Sequence, residues 1–123
     1  TFFTACRPIA VAEAPARLHD LWGLKMLAGV PVNPAEGVVL ELYVAEQRFL
    51  LSTNGANYEG QFLADTAWIA FAKIKSITPQ KDRTSLSRRL IPVLRQADRW
   101  AFKKRQLLLY RRQKLVAQFI KID

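Results

Sequence analysis

Apolar and polar residues alternate along most of the chain. In residues 38–45 one face carries the apolar residues Val38, Leu40, Leu42 and Val44, and the opposite face is more polar. A period of two is typical of a β-strand with one buried face. The same analysis of the whole chain predicts about seven strands. Besides residues 38–45, they cover residues 21–29, 48–53, 60–64, 67–74, 106–110 and 114–122.

Between the strands predicted at residues 67–74 and 106–110, the spacing of apolar residues changes to that of a helix. One helical face carries Leu86, Leu90, Leu94 and Ala97. The candidate N-cap residues are Thr84, Ser85 and Ser87. Pro92 conflicts with a long regular helix because it lacks an N–H and clashes with the preceding turn. We therefore expect a kink at Pro92, or a helix that begins close to it.

The strands are joined mostly by short turns, and short connections favour antiparallel pairing. A single helix on such a sheet buries its apolar face against it. The sequence therefore predicts an α+β fold, a curled, mostly antiparallel sheet resembling half a barrel and packed on one helix. We expect the folded domain to cover residues 18–123.

Residues 1–17 differ from the rest. Phe3-Thr4-Ala5-Cys6 is similar to a bacterial lipobox, and residues 7–17 are rich in Ala and Pro, as flexible tethers are. We expect residues 1–5 to be a signal-peptide remnant and Cys6 to be lipidated, with a free thiol as the alternative. Arg7 in place of Asp fits sorting to the outer membrane. The expected location is the bacterial envelope, at the outer membrane facing the periplasm.

Catalytic and metal chemistry have little support. The chain has one Cys and one His, so it offers no internal disulfide and no zinc ligand set. His19 is interpreted as a surface or capping residue. The carboxylates of Glu41, Glu46, Glu59 and Asp65 are scattered, with no spacing that requires them to be close. We expect no enzymatic activity, no metal and no cofactor.

The net charge of +9 is uneven. Residues 1–72 carry 4 basic and 7 acidic residues, whereas residues 73–123 carry 15 basic and 3 acidic residues. Such a basic half attracts anionic surfaces. The candidate surface contains basic residues flanking an aromatic one: Arg99, Trp100, Lys103, Lys104, Arg105, Arg111 and Arg112. Phe102 and Tyr110 lie among them.

Three interpretations of this basic segment are open. It can be an ordinary solvated surface with core aromatic residues between the charges. It can contact an anionic membrane, with Trp at the interface. It can also bind nucleic acid through phosphate contacts and base stacking. The lipobox-like segment ranks the membrane above nucleic acid.

Residues 50–62, LLSTNGANYEGQF, interrupt two strand-like runs. A phosphate cradle needs several glycines and a following helix or Lys, whereas only Gly55 and Gly60 occur here and a strand follows. A strand-to-strand turn is the better interpretation, because Gly55 and an Asn can adopt positive φ. Asn54 or Asn57 can bond neighbouring backbone groups.

This order of elements resembles the META domain family of HslJ-like bacterial lipoproteins, over residues 18–122. The resemblance is carried by Trp22-Gly23-Leu24, by residues 54–62 and by Leu107-Leu108-Leu109-Tyr110. The motif residues, with an implied structural role, are Trp22, Asn54, Gly55, Asn57, Tyr58 and Gly60. Ala56 departs from the family, which often has Cys there, and residues 76–81 also lack a Cys.

The resemblance implies a non-enzymatic domain in envelope lipoproteins linked to stress and drug tolerance. Together with the residues above, it leads us to expect an envelope-anchored META-like domain. Its partners would be the membrane, through the lipid anchor, and either a protein partner or an anionic envelope surface. The alternative is a small basic β domain that binds nucleic acid.

Overall fold

Alternating apolar residues build one antiparallel sheet in the computed structural model, which describes residues 16–53, 55–77 and 85–122. A short 3-10 helix, Ala16–Leu18, precedes the sheet, and a second, Pro34–Glu36, follows β2. The described residues form nine strands: β1 (Leu21–Leu27), β2 (Val30–Pro31), β3 (Val39–Tyr43), β4 (Arg48–Thr53), β5 (Ala56–Ala64), β6 (Ile69–Ser76), β7 (Arg99–Lys103), β8 (Gln106–Arg111) and β9 (Lys114–Lys121). The helix α1 (Ser85–Gln96) lies between β6 and β7.

The strand order is β6-β5-β4-β3-β1-β9-β8-β7, with β2 paired to β1. Every pair is antiparallel, and most neighbours are consecutive in the chain. The exception is β1, which joins β3 on one side and β9 on the other. The predicted α+β class and the curled half-barrel on one helix are therefore confirmed.

The two outer strands of the sheet approach each other at one end. Trp68, just before β6, forms an isolated antiparallel bridge with Arg99 of β7. The Ile69 amide donates to the Asp98 carbonyl at 3.2 Å, and the Trp100 amide donates to the Ala67 carbonyl at 3.0 Å. These bonds pair backbone groups that would otherwise form exposed sheet edges.

The concave face of the sheet forms the core. Its largest fully buried rings are those of Trp22, Phe49 and Phe119. The predicted helical face packs onto this core, because Leu86, Leu90, Leu94 and Ala97 are all buried. Removing this much apolar surface from water is the main stabilising term of such a domain. Neither the described helix nor the two 3-10 turns is long and apolar enough to span a membrane.

A tight corner between β4, β5 and β6 helps the sheet to curl. Gly60 lies opposite Phe49, and a Cβ at Gly60 would be 2.6 Å from Phe49 Cε2 and 2.8 Å from the Ala72 carbonyl oxygen. The β5–β6 register shifts at the same point, and Lys73 adopts a positive φ of 54°. A bulge beside a glycine lets a sheet bend sharply. Gly60 is therefore required by close packing.

Several predicted boundaries were wrong. Strands β2 and β7 were not predicted, because the proline in β2 and the charges of β7 mask the two-residue period. Strand β5 begins at Ala56 rather than at residue 60, since residues 56–59 pair with β4. The two-residue period of the strand predicted at residues 67–74 is present in β6, where Ile69 and Phe71 on one face are buried.

The helix also differs from its prediction. It begins at Ser85 and continues through Pro92, so it does not start near the proline. Ser87 is consequently an internal, buried helical residue and not an N-cap. Pro92 and Arg88 are both exposed. The hydrogen bond that Pro92 cannot donate to the Arg88 carbonyl is thus lost on the solvent side, where water can replace it.

Replacing Gly60 with Ala should destabilise the domain by about 2 kcal/mol, because the new methyl group overpacks the corner. Urea unfolding followed by tryptophan fluorescence measures the change. Gly23→Ala is the control. Its Cβ would lie 3.3 Å from the flexible end of Ile122, so it should change the unfolding free energy by less than about 0.5 kcal/mol. Equal effects of the two substitutions would contradict the packing argument.

Candidate anionic-ligand surface

The basic residues of the C-terminal half lie in two separate clusters. The register pairs Arg99 with Tyr110 and Lys103 with Gln106, so the two ends of β7 are about 13 Å apart. One end carries the arginine cluster, which we define as Arg95, Arg99, Arg111 and Arg112. The other end carries the lysine turn, which we define as Lys103, Lys104 and Arg105. The single basic surface expected from the sequence is therefore divided by the strand pairing.

Direct contacts assemble the arginine cluster from α1, β7 and the β8–β9 turn. The Arg111 guanidinium donates from Nη1 to Gln96 Oε1 at 3.1 Å, next to Arg95 at the end of α1. The Arg112 amide donates to Asp98 Oδ1 at 2.8 Å. Because Asp98 directly precedes Arg99, these two bonds bring all four arginines to one end of the sheet.

An aromatic ring supports the cluster. The Arg99 guanidinium lies 4.4 Å from the centroid of the Trp68 ring, a distance typical of a cation–π contact. Trp68 is only partly buried. The contact orders a side chain that is otherwise long and mobile, so Arg99 is presented to solvent with less conformational freedom to lose on binding a ligand.

The cluster has a strong excess of positive charge. Its four arginine residues are exposed, and Arg88 and Arg89 extend the basic surface along α1. Among the described residues, Asp98 is the carboxylate that contacts the cluster, and one of its oxygens accepts the Arg112 amide. Guanidinium groups bind carboxylates and phosphates in bidentate fashion. The arrangement is therefore suited to an anionic ligand.

The lysine turn has an unusual backbone. Lys104 and Arg105 have φ values of 50° and 65°, the positive values of a two-residue type I′ hairpin. Such turns usually contain Asn and Gly, because other side chains are strained there. The turn residues are exposed, and the Arg105 carbonyl accepts the Lys121 amide at 2.9 Å.

The aromatic residues between these charges do not form a stacking surface. Trp100 is 7% exposed, and its indole N–H donates to the Asp65 carbonyl at 2.8 Å, so its assignment to the binding surface was wrong. Phe102 is half-buried, with the Arg17 guanidinium 5.4 Å from its ring centroid. Tyr110 is also half-buried. The period of two places Trp100 inward and its charged neighbours outward.

The residues on which the predicted resemblance to the META domain family rests lie in the core, in a turn and in a strand. Trp22 is fully buried, and its indole N–H donates to the Leu18 carbonyl at 3.1 Å. Gly55 has a φ of 103° and forms the β4–β5 turn, as predicted. Asn57, Tyr58 and Gly60 lie in strand β5 and not in the turn, because their backbones pair with β4. Asn54 and Cys6 lie outside the described residues.

A polar hollow over β4–β6 is lined by two carboxylates, those of Glu46 and Glu59, and by three cations, Arg48, Lys73 and Lys75. Its volume is about 460 Å³, and Glu59 pairs there with Arg48 at 3.5 Å and with Lys75 at 3.3 Å. Because two of its three cations already have an anionic neighbour, it is a weaker anion site than the arginine cluster. The charge balance of the hollow depends on the strand register, which local sequence spacing does not record.

Sequence reasoning also missed a small polar cluster near the start of β1. His19 Nδ1 accepts the Val44 amide at 3.3 Å, and the His19 ring lies edge-on to Tyr43. The Tyr43 hydroxyl donates to Glu41 Oε2 at 2.6 Å. That bond, with a smaller contribution from burial, raises the pKa of Tyr43. The described residues include no group of three or more His, Cys, Asp or Glu side chains that could hold a metal ion.

Two solved structures share this fold. A DUF4847 family protein from Bacteroides vulgatus has a TM-score of 0.65 and 19% identity, with 86% of this chain and 96% of that chain covered. A protein from Burkholderia xenovorans, solved by NMR, has a TM-score of 0.63 and 18% identity, with 99% and 94% covered. This similarity establishes the fold alone. No protein-family model and no curated protein matches the chain, so the resemblance to the META domain stays a prediction.

Lys104→Asn/Arg105→Gly should raise the free energy of unfolding by about 1 kcal/mol, because Asn and Gly accept positive φ with less strain. Urea unfolding measures the change. Lys104→Ala/Arg105→Ala removes the same two charges but keeps both Cβ atoms, so it should give no such gain. A similar gain in both variants would assign the effect to charge repulsion and contradict the strain argument.

Glu41→Gln should lower the pKa of Tyr43 towards its ordinary value of about 10. The substitution removes the carboxylate that accepts a hydrogen bond from the Tyr43 hydroxyl. A spectrophotometric titration of tyrosinate absorbance measures the shift, with Tyr43→Phe to identify the signal. Because the pKa is raised in the folded state, the stabilisation is complete below the ordinary pKa. It is lost as the pH rises through the raised value. An unchanged Tyr43 titration in Glu41→Gln would exclude this cause.

Proposed function

We propose that this protein is a non-enzymatic binding domain of the bacterial cell envelope, and that its arginine cluster holds the carboxylates or phosphates of an anionic partner. The observation that carries the proposal is the convergence of four exposed arginines from α1, β7 and the β8–β9 turn. Folding brings residues 95 and 112 to the same end of the sheet. A merely solvated charged surface needs no such convergence.

The chemistry of the cluster supports an anionic partner. Each guanidinium presents several N–H donors in a planar fork that fits two oxygens of a carboxylate or phosphate. Arg99 is held on Trp68, and Arg111 is held by Gln96. Two of the four donors are therefore partly ordered before a ligand arrives, which reduces the entropic cost of binding.

The proposed location in the cell envelope is supported by the sequence. Phe3-Thr4-Ala5-Cys6 is similar to a lipobox, and a lipid on Cys6 would tether the domain to the outer membrane. The resemblance to the META domain further suggests a role in stress or drug tolerance. Mass spectrometry of the mature full-length protein, expressed in a bacterium and extracted with detergent, tests the anchor. Cleavage before Cys6 with a diacylglyceryl and acyl addition is expected, and an unmodified Cys6 would contradict it.

Nucleic-acid binding is the alternative function. The phosphates of a nucleic acid would fit the arginine cluster as well as the carboxylates of a protein partner do. However, base stacking needs exposed aromatic faces. Trp100 is buried, and Arg17 and Arg99 cover faces of Phe102 and Trp68. The geometry thus favours a ligand recognised by its charges over one recognised by its bases.

Fluorescence anisotropy with two labelled probes, an oligoglutamate and a single-stranded DNA of equal charge, tests the cluster. Arg111→Gln/Arg112→Asn should weaken binding of oligoglutamate at least about tenfold, because two charge-assisted contacts are lost. Asn is chosen because Arg112 has a φ of 58°, which Asn tolerates. Binding should weaken with increasing salt.

Lys104→Asn/Arg105→Gly is the matched control, since it also removes two cations from a turn with positive φ. It should weaken oligoglutamate binding less than about threefold, because it lies at the other end of β7. Equal losses in the two variants would indicate a net-charge effect and overturn the assignment to the arginine cluster. DNA binding that far exceeds oligoglutamate binding, and that falls in Trp68→Ala, would favour the alternative.

A further inference from the structure

Exposed large aliphatic residues gather at the end of the sheet that carries the lysine turn. Leu21 is 38% exposed, Ile120 42% and Ile122 36%, three of the five such residues in the described part of the chain. The Ile122 amide donates to the Leu21 carbonyl at 3.0 Å, so the two side chains are neighbours. Ile120 is joined to them by its pairing with Gly23.

Next to this group of aliphatic residues, Gly23 lines an apolar groove. It has no side chain, and Ile122 lies over the space where its Cβ would be, with Cδ1 3.3 Å from that position. The groove has a volume of about 260 Å³ and is lined mainly by carbon, with contributions from Val39 and Pro34. It lies on the convex face of the sheet, whereas the core fills the concave face.

Cations border this aliphatic group. The register aligns Ile120 with Gln106 and Gln106 with Lys103, so Lys103 is about 10 Å from Ile120 on the same face. The Lys121 amide bonds to the Arg105 carbonyl, which brings the C-terminal end of β9 against the lysine turn. Arg17 lies over Phe102, one residue before Lys103.

We define the amphipathic end as Leu21, Ile120 and Ile122 with Arg17, Lys103, Lys104, Arg105 and Lys121.

Two carboxylates near this end are already engaged. Asp20 Oδ2 is 3.3 Å from Lys121 Nζ. Glu41, opposite Leu21 in the register, accepts the Tyr43 hydroxyl. The amphipathic end therefore keeps an excess of positive charge beside exposed aliphatic side chains.

The N-terminal segment enters the fold at this end. The first described residue, Ala16, is five residues before Leu21, and its carbonyl accepts the His19 amide at 2.9 Å. Nine residues lie between Cys6 and Ala16, so the Cα atoms of these two residues are at most about 35 Å apart. A lipid on Cys6 would thus hold the amphipathic end close to the bilayer surface.

We propose that the amphipathic end docks on an anionic phospholipid bilayer, with the cations at the lipid phosphates and the three aliphatic residues in the interface. Polybasic segments are attracted to anionic lipid, and buried aliphatic area adds to that attraction. The arginine cluster then faces away from the membrane, because it occupies the other end of β7. This inference rests on the envelope location in the proposed function and adds the orientation of the domain.

Binding to vesicles tests the docking. The probes are phosphatidylcholine vesicles with and without phosphatidylglycerol, and the protein is the full chain without its lipid. Binding is expected only with phosphatidylglycerol. Lys104→Asn/Arg105→Gly should weaken it about thirtyfold, which corresponds to about 1 kcal/mol for each cation. This variant is predicted to fold more stably, so a loss of binding cannot be attributed to unfolding.

Arg111→Gln/Arg112→Asn is the charge control and should weaken vesicle binding less than about threefold. An equal loss in both variants, or no binding of the unsubstituted chain to anionic vesicles, would overturn the proposal. Ile120→Thr/Ile122→Thr should weaken binding about tenfold, because Thr keeps the strand but removes aliphatic area from the interface. Val30→Thr, at an exposed site on the β1–β2 hairpin, is its control. Equal binding by the Ile variant and the unsubstituted chain would exclude aliphatic insertion.

The two proposals fail in different ways. Loss of oligoglutamate binding in the arginine variant, together with unchanged vesicle binding, would support both. If the arginine variant still binds oligoglutamate normally while the lysine-turn variant loses vesicle binding, the anionic partner site is wrong and the docking is retained. If the arginine variant loses oligoglutamate binding while the lysine-turn variant still binds vesicles normally, the docking is wrong and the anionic partner site is retained.

Discussion

The junction between the two outer strands is the constraint on which the rest of the structure depends. A sheet with two open edges exposes unpaired N–H and C=O groups, and here the bonds around Trp68 and Arg99 pair some of them. The Trp100 indole N–H donates to the Asp65 carbonyl inside the same junction, and Asp65 Oδ1 accepts the Ala67 and Trp68 amides. Helix α1 covers the remaining gap beside β6. The junction closes the core and also orders Arg99 against Trp68.

The strand register controls how charge is distributed. Strands β7, β8 and β9 run back and forth, so residues that are close in sequence separate to opposite ends, and distant residues meet. Arg95, on the helix, joins Arg111 through Gln96, whereas Lys103 moves to the end where Ile120 lies. One basic half therefore yields two surfaces with different chemistry, guanidinium groups at one end and mixed cations with aliphatic residues at the other. Their different compositions are the reason for proposing different partners.

Fold similarity alone does not supply a function here. Two structures with 19% and 18% identity share the architecture, and such a scaffold can carry unrelated sites. A function must therefore be sought in the exposed side chains of this chain. In the hollow beside Glu59, Arg48 and Lys75 are paired with that carboxylate, whereas the arginine cluster retains a larger excess of positive charge. Charge balance and exposure therefore distinguish the candidate sites of this chain, and the core only holds these groups in place.

The sequence by itself determined the fold class, most strands and the helical face, because burial on one face forces a period that can be counted, as at Leu40 and Leu42. It also indicated the Gly55 turn, since positive φ favours glycine. Only the tertiary structure decided that Trp100 is internal, that helix α1 continues past Pro92 and that the basic residues form two clusters. These outcomes depend on strand register and on which face meets solvent. Both are set by contacts between residues far apart in the chain, and local spacing does not record them.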